Sequence, residues 1–179
     1  VTAWVYVIDR GVGYQAVFTQ SADGSKYDEF YVDSSGNFAL EISSSSATTT
    51  AGSAVTDATW YHVAIVRESA TSIKVYRDGS ATAEITNTRS VSGRAANANM
   101  SIGTNAFSEY FNGRVAFFRI WTSALSNAEI NAEMDATAAV KTGAWLDTPL
   151  QTDANDDTAN ARHWTTGGTA SDWAWGTPT

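Results

Sequence analysis

Residues 59–81 read TWYHVAIVRESATSIKVYRDGSA, and how this stretch is extended decides the fold. In 60–67, Trp60, Ala64 and Val66 fall on one side of an extended chain and Tyr61, Val63 and Ile65 on the other. Such a segment is apolar on both faces, which requires a strand in the middle of a sheet covered on both sides. In 73–77, Ile73 and Val75 alternate with Lys74 and Tyr76, the pattern of a half-exposed strand. Asp78-Gly79 then supplies the two positive φ angles of a type I′ turn, so a further strand is expected over 81–86.

Working outward, the same rhythm of short Val, Ile, Tyr, Phe and Thr runs broken by Gly, Ser, Asn and Asp continues in both directions. It predicts strands over 2–8, 14–20, 28–33, 38–42, 100–104 and 113–121, with a hairpin at Ser34-Ser35-Gly36. The segment 144–150, AWLDTPL, is a candidate for one more. The tract SSSSATTTAGSA (43–54) is low in complexity and small in side chains, and is expected to be a solvated loop. One helix is expected near 126–136. Ser126 and Glu129 make a capping box, Leu125 can staple onto Ile130, and Ile130 and Met134 share a face that should lie on the sheet. The fold class is therefore all-β, with one short surface helix.

Composition excludes several functions. The chain has 179 residues, 43% hydrophobic and 12% aromatic, enough to bury a large core as a single domain over 1–179. Nineteen acids against eleven bases leave a net charge of -8, which repels nucleic-acid phosphate and anionic lipid. There is no cysteine, hence no disulfide framework and no thiolate nucleophile or ligand. No apolar run reaches the length of a membrane span, and VTAWVYVID lacks the charged start and cleavage pattern of a secretory leader. A chain that starts at Val1 without Met is expected to be cut from a longer protein.

The series TWYHVAIVRESATSIKVYRDGS, MSIGTN and FNGRVAFFRIWTSALSNAEI, in that order, resembles laminin-G-like domains of the concanavalin A-like lectin/glucanase superfamily over roughly residues 1–135. The resemblance implies a two-sheet antiparallel jelly roll. It makes Trp60 and His62 scaffold: both point to one face of a two-sided strand, where Trp fills volume and His can satisfy a hydrogen bond. The segment GAWLDTPLQTDANDDTANARHWTTGG resembles the part of such domains that precedes their first strand. It therefore either belongs to a neighbouring repeat or closes this sheet from the C-terminal side.

The glucanase members carry Glu-x-Asp-x-x-Glu on one strand, and no such run occurs here. Asp28, Glu29 and Asp33 fail the spacing of two carboxylates about 5–9 Å apart across a sugar. With only His62 and His163, and no Gly-x-Ser-x-Gly elbow, no hydrolase triad can be nominated. The expectation is a domain that is not an enzyme.

Recognition remains. Aromatic rings on loops stack against pyranose faces while Asn, Asp and Arg serve the hydroxyls. NAFSEYFNG (105–113) is the most site-like stretch, with Asn105, Phe107, Glu109, Tyr110 and Asn112 as candidate ligand-binding residues. Tyr14, Tyr27, Trp164, Trp173 and Trp175 also lie in or beside expected loops. For metal, the acidic loop DANDDTAN offers Asp153, Asn155, Asp156 and Asp157 as calcium ligands, and Asp23 with Asp28 is a weaker candidate. The strand 113–121 reads Val-Ala-Phe-Phe where the metal-linked version of the family pattern carries Asp-Glu. The function expected is a non-catalytic module that binds glycan or a glycosylated surface for a secreted, cell-surface or virion protein. The first alternative is a structural or decoration domain that contacts protein, and a polysaccharide-active enzyme ranks last.

Overall fold

The computed structural model describes residues 1–21, 27–43, 47–90, 99–105 and 108–150. Two antiparallel sheets face each other. The six-stranded sheet contains β1 (Thr2–Val7), β6 (Thr59–Ser69), β7 (Ser72–Arg77), β8 (Ile85–Asn87), β10 (Gly113–Trp121) and β11 (Ala144–Thr148), in the order β11-β10-β1-β6-β7-β8. The five-stranded sheet contains β2 (Gln15–Ser21), β3 (Tyr27–Val32), β4 (Asn37–Ser43), β5 (Ala47–Ala54) and β9 (Asn99–Ile102), in the order β5-β4-β3-β2-β9. This is the jelly-roll sandwich expected. Among the described residues, no helix is long and apolar enough to cross a membrane.

The two-sided reading of 60–67 holds. Tyr61 and Val63 enter the core between the sheets with Val5, Phe30, Phe38, Leu40 and Phe118. Ala64 and Val66 point the other way, into a second cluster with Tyr76, Trp121, Leu125 and Ile130. That cluster lies beneath the helix α1 (Asn127–Met134), whose capping box of Ser126 and Glu129 is formed. The staple holds too, since Leu125 and Ile130 pack in one cluster. The expected Ile130–Met134 stripe is corrected: the residues α1 buries are Ile130 and Glu133. Glu133 turns inward because Arg119, fully buried on β10, sits beneath it at 3.2 Å.

The main correction concerns 43–54. The expected loop contains β5, an edge strand paired with β4, in which Thr49 stands opposite Glu41 and Thr50 opposite Leu40. Its β-branched threonines suit a pleated edge, and small side chains do not prevent pairing when a neighbouring strand offers its free edge. At Asp78-Gly79, φ values of 51° and 69° and an Arg77 carbonyl that accepts from Ser80 N–H at 3.0 Å confirm the type I′ turn. The strand expected over 81–86 shrinks to Ile85–Asn87, because Ser80 Oγ bridges Thr82 and holds the chain off the ladder. The candidate strand after 144 is β11, paired with β10.

Candidate functional site

Alternation on β3 sends Phe30 and Val32 inward and leaves Tyr27, Glu29 and Tyr31 on the outward face of the five-stranded sheet. The pairing registers then align one polar row across all five strands. Ser101 on β9 stands opposite Thr19 on β2, Thr19 opposite Glu29, Glu29 opposite Glu41 on β4, and Glu41 opposite Thr49 on β5. On one side of the row lies Tyr31, against which the exposed Tyr14 packs at 5.9 Å between ring centroids. On the other lies Tyr27.

Two hydrogen-bonded groups occupy the row. Tyr27 Oη donates to Glu41 Oε1 at 2.6 Å, and Thr49 Oγ1 donates to Glu41 Oε2 at 3.0 Å. Burial, with the Glu41 carboxylate as the second cause, pushes the Tyr27 phenol well above its ordinary range. Beside this pair, Asn105 reaches from the loop after β9. Its Nδ2 donates to Glu29 Oε1 at 2.7 Å and to Glu109 Oε2 at 2.6 Å, while its Oδ1 accepts the Glu109 N–H at 3.1 Å. Glu29 is 5% exposed. Burial raises its pKa to about 7; the Asn105 hydrogen bond opposes the rise, and the charges of Glu109 and Glu41 add to it. Thr19 is 4% exposed, and its Oγ1 has no hydrogen-bond partner.

The structure thus brings Asn105 and Glu109 together, and places Tyr110, 67% exposed, in the same loop through the Thr104–Tyr110 bridge. Asn112 contributes through its backbone: its N–H donates to Gln15 Oε1 at 3.0 Å and its carbonyl accepts from Ile8 N–H at 3.0 Å, tying this loop to the segment that carries Tyr14. Phe107 lies outside the described residues, as do Asp153, Asn155, Asp156, Asp157 and Asp23 of the calcium candidates and Trp164, Trp173 and Trp175. Asp28 lines a different place, a cleft of about 440 Å³ between the sheets beside Val1, Met100 and Trp145. Among the described residues, no three His, Asp or Glu side chains are placed to hold a metal ion.

Sequence reasoning missed Thr19, Tyr31, Glu41 and Thr49. The signal for part of it was Tyr27-x-Glu29-x-Tyr31, an alternation of aromatic and acid on one strand face. His62 is scaffold in position, buried and edge-on to Trp4 at 5.5 Å, yet its Nδ1 lacks the hydrogen bond expected of it.

The jelly roll turns this row of acids, hydroxyls and tyrosines to the outward face of one sheet. The chain belongs to the concanavalin A-like lectin/glucanases superfamily: the laminin G-type family model matches residues 1–131. No curated protein sequence matches it significantly. Among solved structures it is similar to a protein of Bacteroides ovatus thought to bind carbohydrate (TM-score 0.63, 16% identity), over 83% of this chain and 44% of that one. It is also similar to domain 4 of the extracellular GH43 arabinanase AbnA of Geobacillus stearothermophilus, in complex with arabinotriose (TM-score 0.59, 22% identity, 74% of this chain and 64% of that one). A third is the CBM40 of the Ruminococcus gnavus IT-sialidase bound to α2,3-sialyllactose (TM-score 0.55, 14% identity, 73% and 79%). The chain therefore spans less than two thirds of the first two. At these identities the likeness is one of fold.

Proposed function

We propose that this chain is a non-catalytic carbohydrate-binding module of an extracellular or surface-exposed protein, and that glycan lies on the outward face of the five-stranded sheet. The observation that carries the reading is the row Ser101, Thr19, Glu29, Glu41 and Thr49, flanked by Tyr27 and Tyr31. Like charges directly opposite on neighbouring strands destabilise a sheet, as do buried carboxylates, so stability alone does not account for Glu29 beside Glu41. Hydroxyl acceptors between aromatic rings are what a pyranose or furanose needs from a protein surface. Arabinotriose and sialyllactose bind domains of this architecture, which supports the same ligand class here.

Non-catalytic action fits the local chemistry. Glu29 and Glu109 hold a single amide nitrogen between them, and that amide fills the gap a scissile glycosidic bond would need. The test is a glycan array with the purified domain, followed by titration of Tyr14→Ala and Glu41→Gln. A selective signal weakened about tenfold or more by either substitution supports the reading. Array silence, or binding that both variants leave untouched, overturns it. Turnover of any polysaccharide that disappears in Glu29→Gln would overturn its non-catalytic part.

One observation favours a protein partner instead. Ile8, Val12 and Tyr14 are 43%, 55% and 53% exposed in one connection, an apolar rim beside the same face. A domain that binds no glycan but is retained by its parent assembly, and loses that retention in Val12→Asp, would follow this second reading. Calcium held by Asp153, Asn155, Asp156 and Asp157 is a separate proposal. A melting temperature raised by calcium and restored by chelator supports it, and an unchanged curve removes it.

A further inference from the structure

Among the described residues, the polar row is short of donors. Glu29, Glu41 and Glu109 present carboxylates within one hydrogen-bonded neighbourhood, and their described side-chain donors are Asn105, Tyr27 and Thr49. A single Asn105 nitrogen serves both Glu29 and Glu109, so at least one of those carboxylates has unused acceptor capacity. Directly opposite Glu29, on the same face, the Thr19 hydroxyl is buried and has no hydrogen-bond partner among the described residues. A buried hydroxyl left unpaired costs free energy, as does a buried carboxylate held next to others. Both deficits are met by a ligand whose own groups donate and accept in turn, and a sugar hydroxyl does both.

Charge then selects among sugars. Among the described residues, the outward-facing side chains of β2 to β5 and β9 and the loop residues bonded to them include three carboxylates and no Arg or Lys. Of the described cations, Arg119 pairs with Glu133 and Asp147, Arg77 with Glu84, Lys74 with Glu68, Lys141 with Glu129 and Arg10 with Asp57, and Arg114 lies over the Tyr6 ring. A sugar carboxylate laid on this row would face like charge with no described Arg or Lys among its outward side chains.

Resting on the carbohydrate-binding reading, we infer that this face is selective for neutral glycans and rejects sialylated and uronic ones, through Glu29, Glu41 and Glu109. This departs from the sialyllactose-bound neighbour, whose architecture the chain shares.

Matched ligand pairs test it. Methyl-esterified and saponified oligogalacturonides differ only in whether the carboxylate is masked; lactose and α2,3-sialyllactose, which differ by a whole sialic acid residue, are the coarser pair, and arabinotriose extends the neutral set. Affinities are measured by calorimetry at low and at physiological salt. The expected result is binding of at least one neutral ligand and at least tenfold weaker binding of its acidic counterpart, with the gap narrowing as salt screens the repulsion. In Glu109→Gln, whose fold is checked by circular dichroism, the ratio of neutral to acidic affinity should also fall, whatever the change in affinity for the neutral ligand. An acidic member that binds as well as its neutral partner, or better, overturns the selectivity and leaves the carbohydrate reading standing. If neither member of any pair binds, and the glycan array is silent too, the carbohydrate reading falls and the selectivity with it.

Discussion

Arg119 donates Nε to Asp147 Oδ1 at 2.9 Å, with both side chains buried on adjacent strands of the six-stranded sheet. Around this pair the remaining groups are satisfied. Arg119 Nη1 donates to Glu133 Oε2 and to the Glu133 carbonyl, Nη2 donates to the Ala136 carbonyl, and Glu133 Oε1 accepts the N–H groups of Val140 and Lys141. The network binds β10, β11, α1 and the chain between them into one unit. Removing one member leaves uncompensated buried charge. Arg119→Met is therefore expected to cost about 3–5 kcal/mol, read as a lower denaturation midpoint with an unchanged slope. A loss below about 1 kcal/mol would show that Glu133 and Asp147 do not need the guanidinium.

Gly79 tests the turn and the helix above it together. Its φ of 69° is one that only glycine adopts freely, and a Cβ there would run into Asn131 Oδ1 and approach Met134 Cε at 3.2 Å. Gly79→Ala should destabilise the fold by at least about 1–2 kcal/mol. Adding Asn131→Ala should recover the steric part and leave the backbone part. Full additivity of the two substitutions would mean that α1 does not press on the turn.

The sandwich was legible because 60–67 can be satisfied only by burial on both faces, and because Asp78-Gly79 admits few backbone conformations. The helix was legible from Ser126 and Glu129 for the same reason: short-range chemistry with one solution. What depends on register was not. β5 is a strand because β4 needs an edge partner, and nothing inside SSSSATTTAGSA states that need. Arg119 carried a readable signal, a lone cation in the apolar run VAFFRIW, whose partners Glu133 and Asp147 lie far along the chain.

The candidate site was half legible. Asn105 and Glu109 stood out as a dense mixture of amide, acid and aromatic residues in one loop. Glu29 lies 76 positions from Asn105, and their hydrogen bond exists only once β9 is placed beside β2. Glu29 could be weighed from its own neighbours Asp28 and Asp33, whose spacing fails for catalysis, while its relation to Thr19 and Glu41 is a matter of strand pairing.

His62 makes a prediction about acid. Burial, with the Arg119 charge as a second cause, lowers its pKa to about 4 from an ordinary 6.5. The unfolded chain then binds the proton more tightly, so this residue's contribution is complete above pH 6.5 and is lost as pH falls toward 4. The shift corresponds to about 3 kcal/mol over that window. His62→Phe, which keeps a ring against Trp4, should flatten the stability profile between pH 4 and 6.5. Proton NMR should find His62 uncharged at pH 5.5; a midpoint near 6.5 would refute the account.

Glu29 acts with the opposite sign. Its folded pKa of about 7 lies above the ordinary 4.5, so it does not destabilise below pH 4.5, where both states are protonated, and it destabilises increasingly as pH rises to 7. Above pH 7 the penalty is complete and constant, about 3 kcal/mol at most. In Glu29→Gln the side-chain oxygen can still accept from Asn105, and the new amide can donate to a neighbouring carboxylate. The variant should therefore match or fall below the parent in melting temperature at pH 4, and exceed it at pH 8. If the carboxylate is kept for ligand hydroxyls, the same variant should lose glycan affinity at pH 8 while gaining stability there. Stability gained with affinity intact would assign Glu29 no part in binding, and stability lost at pH 8 would mean that the carboxylate is held by contacts stronger than the single amide of Asn105.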